Sequence, residues 1–366
     1  MNRYSLSRRG LLASSLALVA CDQAGAQPGG GNGGGRRMSG GPLPRLRDLA
    51  PFPIGTQIVT DQFAVPVITE LASTQFDQIT TGYELKMEYL VQPDGRLRFD
   101  GPDRIADFCR RNNQTMQGHT LIWYADTPQW FERMDGSRRA METAYDAHIR
   151  EVVGRYAGRI RGWDVVNEPV NTDGVGLRDS LWSRNLGQDG HFIRAFELAR
   201  ETDPNAVLFV NDYDLEHNPR KRLTYMRLIE DMLNRGVPIT GVGNQSHVSV
   251  DLAPGQITAA IRDLASFGLP LHVSEFDVSL QGSGVDLRSR AQKEAAQVRL
   301  YEEAIEAYSA LPAAQQYAFT IWGVRDTESW VRMEFYGGDQ TDAPLMFDDD
   351  GAPKPTFWAV VDALRA

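Results

Sequence analysis

Cysteine is almost absent from this chain. Two cysteines in 366 residues, Cys21 and Cys109, are too few for a cysteine metal site. Basic charge is not in excess: the net charge is −10, which makes nucleic acid and anionic membrane surfaces poor partners. The apolar run from Leu11 to Ala20 falls short of the roughly 20 residues a membrane-spanning helix needs. No internal repeat or second linker marks a further domain. Histidine pairs lack a metal-ligand spacing such as HExxH, so neither a metal nor another cofactor is expected. "GVG" at 241–243 lacks the later glycine and helix start of a nucleotide fingerprint, and reads as close strand packing.

What is present describes a globular protein with a leader. Hydrophobic residues make up 42% and charged residues 23% of the chain, and its length fits one α/β barrel. Arg8 and Arg9 precede the apolar run, and "SRRGLL" looks like a twin-arginine signal. "LVAC" resembles a bacterial lipobox with Cys21 as the lipidated residue; an ordinary cleaved signal is the alternative. Residues 1–21 are therefore expected to export the protein to the periplasm or cell surface, with a lipid anchor as its only membrane contact. Residues 22–50 include "QPGGGNGGGRRMSGGP", a glycine-rich spacer expected to be disordered. The folded domain is expected over 51–366, as a monomer. Cys109 falls on the apolar face of "DRIADFCRRN" and reads as a core thiol.

From residue 51 on, strand-like and helix-like segments alternate. Strands are expected at 54–59, 78–80, 114–121, 160–167, 206–212, 239–246, 270–276 and 317–322. Amphipathic helices are expected at 142–157, 190–202, 221–235, 256–267 and 288–309, and "PTFWAVVDALRA" closes the chain as another. This alternation predicts a single (β/α)8 TIM barrel.

Such barrels place their chemistry at the carboxyl ends of the strands. Those ends carry His119 and Trp123, Asn167 and Glu168, Asn211 and Tyr213, Gln245 and His247, Glu275 and Asp277, and Trp322. Two carboxylates, Glu168 after strand four and Glu275 on strand seven, come from opposite sides of the ring. Carboxylates facing each other across a cleft suit glycoside hydrolysis, in which one protonates the leaving oxygen and the other meets the developing oxocarbenium ion. Tryptophans offer flat apolar faces to sugar rings.

The motifs "GHTLIW", "WDVVNEP", "NDYD", "GVGNQSHVS", "VSEFDV" and "TIWGVRDTESW" resemble, in order and spacing, those of family 10 of the glycoside hydrolases, the β-1,4-xylanases. The resemblance covers about residue 54 to the C-terminus. It implies Glu168 as acid/base and Glu275 as nucleophile of a retaining, endo-acting hydrolase of xylan or xylo-oligosaccharides. It also implies sugar-binding or supporting roles for Lys86, His119, Trp123, Asn167, Tyr213, Gln245, His247, Asp277, Trp322 and Trp330. In this reading His247 hydrogen-bonds the nucleophile and Asp277 orients His247.

The chain departs from the family pattern on the glycone side. Gly82 and Tyr83 stand where a Glu-Asn pair is usual, while Lys86 is kept; Tyr124 replaces a histidine and Asp126 a glutamine. An altered subsite for the second glycone sugar is expected. The alternative substrates are short, decorated or aryl β-glycosides, and the non-enzymatic alternative is a polysaccharide-binding surface protein.

Overall fold

In the computed structural model, which describes residues 42–282, 285–333 and 338–366, parallel strands close into a barrel. Its strands are β1 (Ile54–Ile58), β2 (Gln78–Thr81), β3 (Thr115–Trp123), β4 (Ile160–Asn167), β5 (Val207–Asn211), β6 (Gly241–Asn244), β7 (Leu271–Ser279) and β8 (Gln316–Ile321). Each pairs in parallel with its successor, and β8 pairs with β1. A helix follows each strand: α1 (Pro66–Gln75), α2 (Asp100–Arg111), α3 (Arg138–Tyr156), α4 (Gly190–Thr202), α5 (Pro219–Asn234), α6 (Gln256–Ala265), α7 (Arg290–Ser309) and α8 (Pro355–Arg365). The expected (β/α)8 TIM barrel is thus the observed fold. The export-signal residues and Cys21 lie outside the described residues.

Local chemistry explains these elements. The strands are buried on both faces, as a parallel sheet wrapped by helices requires. Helix α2 carries Asp100 and Asp103 in its first turn and Arg110 and Arg111 in its last, matching the helix dipole. Its inner face buries Ile105, Phe108 and Cys109, whose thiol is pushed up to about 12 by burial. Helix α5 begins at Pro219, and the Asn218 side chain caps it by accepting from the Lys221 amide at 3.1 Å. Helix α7 starts in a Ser289–Gln292 capping box.

The barrel is filled, not hollow. Gln117 Nε2 donates to Asp164 Oδ1 at 3.1 Å, and the Tyr317 hydroxyl donates to Gln117 Oε1 at 2.8 Å. His272 Nε2 lies 2.8 Å from Thr320 Oγ1; burial pushes this histidine down to about 3, so it stays neutral. Side chains of this layer close the floor beneath the site.

Two segments differ from the sequence expectation. Packing begins before Pro51: Leu46 is fully buried in a helical turn at Leu46–Leu49, and Arg47 donates to the Ser73 carbonyl at 2.9 Å. The stretch 239–246 is not one strand. It breaks after Asn244, where Ser246 takes a left-handed φ of 58° and donates to Glu216 Oε1 at 2.5 Å. The chain resumes as His247–Ser249, paired with Asp277–Ser279 at the outer end of β7. That break carries His247 to the mouth.

Candidate active site

The two carboxylates converge. Glu168 follows the last residue of β4 with a left-handed φ of 56°, and its amide donates to the Asn211 carbonyl at 2.7 Å. Such a conformation is costly for a non-glycine residue and persists because neighbours fix it. Its Oε1 accepts from Gln245 Nε2 at 3.1 Å and from Asn167 Nδ2 at 3.2 Å. Glu275, within β7, is 5% exposed; its Oε1 accepts from Asn211 Nδ2 at 2.9 Å. Asn211 Nδ2 also donates to Asn167 Oδ1 at 3.0 Å, so one amide joins the environments of both carboxylates. The Ser274 hydroxyl donates to Asn211 Oδ1 at 2.8 Å and holds that amide in orientation.

A second network fixes Glu275 from the other side. His247 Nε2 lies 3.3 Å from Glu275 Oε2, and its Nδ1 is 3.0 Å from Asp277 Oδ2, an ion-pair contact without hydrogen-bond alignment. Trp330 Nε1 donates to that same Asp277 oxygen at 2.7 Å, and the Trp330 ring packs on His247 at 4.9 Å. His119 Nδ1 is 2.8 Å from Asp164 Oδ2, and its ring meets Trp322 edge-on at 5.4 Å. Of these residues His247 meets the Glu275 carboxylate directly, and His119 Nδ1 stands 4.0 Å from Glu275 Oε1.

The charges are set accordingly. Burial pushes Glu275 up, but His119, then His247 and Lys86, outweigh it and hold the carboxyl below its ordinary value. Burial pushes His247 down, yet Asp277 and Glu275 together raise it to about 10 from 6.5. A proton held more tightly in the folded than in the unfolded chain stabilises the fold. For His247 that contribution is complete below pH 6.5 and is lost as the pH rises through about 10. An NMR titration is therefore expected to find the His247 imidazolium intact beyond pH 8, with Asp277→Asn lowering its midpoint by at least ~1 unit. A wild-type midpoint near the free-histidine value would contradict this electrostatic account.

The other expected residues line two walls. Lys86 Nζ sits 4.6 Å from the centre of the Trp123 ring. Across the mouth, Arg178 donates to the Glu168 carbonyl at 3.0 Å and to the Tyr213 hydroxyl at 2.7 Å, while its guanidinium lies 4.3 Å from the Tyr124 ring. Tyr124 thus forms a cation–π stack with Arg178. Beneath Tyr213, fully buried Lys221 lies 2.8 Å from Asp212 and 3.2 Å from the Tyr213 ring centre. Asp212 Oδ2 accepts from the Val170 amide at 3.0 Å, tying the segment after Glu168 to β5. Asp126 is exposed with a left-handed φ of 48°. Gly82 and Tyr83 close the end of β2, and the Tyr83 hydroxyl donates to Asp61 Oδ2 at 3.4 Å.

Three contributors had no role in the sequence reading: Asn211, Arg178 and the Asp212–Lys221 pair. Asn211 was visible as a polar strand tip. Nothing in the local sequence pattern of Arg178 or Lys221 places either of them under the site.

Comparison with known proteins agrees with this fold. The model of glycosyl hydrolase family 10 matches residues 48–363. Endo-1,4-beta-xylanase A of Thermoanaerobacterium saccharolyticum is 33% identical over 331 residues, covering 86% of this chain and 27% of that protein. Endo-1,4-beta-xylanase A of Halalkalibacterium halodurans is 34% identical over 322 residues, covering 80% of each. The structure of a thermostable mutant of a xylanase (Xyn10A) from Cellvibrio japonicus superposes with a TM-score of 0.79 at 30% identity, over 88% of this chain and 100% of that one. The chain spans less than half the length of several curated relatives it matches.

Proposed function

Since the chain belongs to glycosyl hydrolase family 10, we propose that it hydrolyses β-1,4-xylosidic bonds in xylan or xylo-oligosaccharides with retention of configuration. The observation that carries this reading is the convergence of Glu168 and Glu275 on one amide network at the barrel mouth. The names of its relatives support the substrate class.

In the first step a Glu275 oxygen bonds to the anomeric carbon as the glycosidic C–O bond breaks, and the departing oxygen takes the Glu168 proton. The lowered Glu275 stays ionised for this attack. Asn211 and the His247 cation hold its two oxygens, which limits its rotation. Ester formation removes the negative charge of Glu275 from the site. Glu168, now a carboxylate, then takes a proton from a water that attacks the anomeric carbon. The ester C–O bond breaks, Glu275 is released, and the product keeps the β configuration. Asn167, fixed between Asn211 and Glu168, is placed to meet a sugar 2-hydroxyl.

Time-resolved proton NMR of xylo-oligosaccharide hydrolysis tests the proposal. The β-anomer is expected to appear first, followed by mutarotation. An α-anomer as first product would exclude double displacement. Xylan, β-glucan and aryl xylosides assayed side by side address the second reading, the same chemistry on short, decorated or aryl glycosides. Its support is the departure at Gly82, Tyr83, Tyr124 and Asp126 from the usual glycone side chains. No activity on any of the three would leave polysaccharide binding as the function.

A further inference from the structure

The end of β2 carries no side chain at Gly82, yet the space over it is not empty. A Cβ built there would lie 1.9 Å from Gln57 Nε2 and 2.5 Å from Val59 Cγ1. Gln57 therefore reaches across from β1 and covers the glycine with its terminal amide.

The register shows which way Gln57 points. It pairs with Thr80 on β2, which pairs with Gln117 on β3, and Gln117 lies inside the barrel against Asp164 and Tyr317. Side chains paired across parallel strands share a face, so Gln57 points inward. On its other side Thr56 pairs with Ile321, the residue before Trp322. Gln57 thus stands at the barrel mouth between Gly82 and Trp322.

Gln57 is 9% exposed, and among the described residues its amide has no protein hydrogen-bond partner. Burying an amide unpartnered costs about 1–3 kcal/mol. The arrangement persists because the amide keeps an opening to the mouth, where a ligand can satisfy it. Tyr83 does not fill that role. Its hydroxyl is directed to Asp61 and its ring packs on Tyr89 at 5.3 Å.

The side of the cleft follows from the reaction. The leaving oxygen sits beside Glu168 at the end of β4, so the sugars that stay with Glu275 extend away from it, toward β8, β1 and β2. We propose that Gln57 binds substrate there and sets specificity: its neutral amide, both donor and acceptor, hydrogen-bonds hydroxyls of the second glycone sugar. This inference rests on the hydrolase reading above. It makes the altered subsite a rebuilt one: the polar group comes from β1 instead of β2.

The test is kcat/KM on aryl xylobiosides against aryl xylosides, a ratio that isolates what the second sugar adds to the transition state. Gln57→Met, which keeps the bulk, is expected to lower the ratio by at least ~10-fold, equivalent to about 1.4 kcal/mol. Gln57→Ala is expected to do the same. Gly82→Ala leaves Gln57 in place chemically but pushes its amide aside, so it should lower the ratio as well. In the Gln57→Ala background, Gly82→Ala should then add nothing, the coupling expected of two changes that act on one group. Ratios within two-fold of wild type in both Gln57→Met and Gly82→Ala would overturn the inference. So would equal losses on both substrates, which mark a structural role. A wild-type enzyme inactive on both glycosides and on xylan would instead overturn the hydrolase reading, and this inference with it.

Discussion

Glu275→Ala is expected to abolish turnover on xylan and on activated aryl glycosides alike, with kcat/KM reduced on the order of 10⁶-fold, the scale of losing an activated nucleophile. A good leaving group cannot compensate, because the missing event is bond formation to the anomeric carbon. The variant should still fold. His247 keeps Asp277 at 3.0 Å, and Asn211 Nδ2 keeps Asn167 Oδ1 as an acceptor. A thermal midpoint within a few degrees of wild type would separate lost chemistry from lost structure. Azide added to this variant should enter from the face Glu275 vacates, forming a C–N bond as the aryl oxygen leaves and giving the α-glycosyl azide. Turnover of an aryl xyloside within ~100-fold of wild type would remove Glu275 from the nucleophile's role.

That expectation rests on residues whose legibility in the sequence was uneven. The barrel was readable because each strand is a short apolar run ending in polar residues, and each helix has a period of its own. "WDVVNEP" shows the apolar run and its polar end within seven residues. Strand β3 runs on to Trp123 and β7 to Ser279, beyond the expected ends, since Asp277 and Ser279 are polar and Trp123 leads into a polar loop. The break after Asn244 was not legible. It depends on Ser246 bonding to Glu216, a residue 30 positions earlier. Gln57 was invisible for a related reason. In "IGTQIV" it reads as one polar residue in a buried strand, and only the bare Cα of Gly82 on the next strand gives its amide somewhere to go. Local pattern reports which elements form. Contacts between strands decide which side chains meet, and the register that fixes them is a property of the closed barrel.

Glu168→Ala tests the other half of the mechanism, and its effect should depend on the leaving group. On xylan, whose leaving sugar alcohol needs a proton, the loss should be ~10²–10⁴-fold, the usual contribution of a general acid. On an aryl xyloside with a good leaving group, glycosylation needs little protonation and should proceed at near wild-type rate. The second step then stalls, because no carboxylate remains to take the proton from water. A burst of released phenol followed by a slow steady state is the expected time course. Azide needs no base to attack, so it should restore the steady-state rate and yield the β-glycosyl azide, opposite in configuration to the product from Glu275→Ala. The local structure should tolerate the change, because the Glu168 backbone is held by Asn211 and Arg178 rather than through its own carboxylate. Gln245 Nε2 retains Asn167 Oδ1 as an acceptor at 3.3 Å. Equal losses on xylan and aryl xyloside, with no burst and no azide rescue, would mean that Glu168 handles no proton. The two alanine variants therefore give azides of opposite anomeric configuration only if attack by Glu275 and protonation by Glu168 occur on opposite faces of the same sugar.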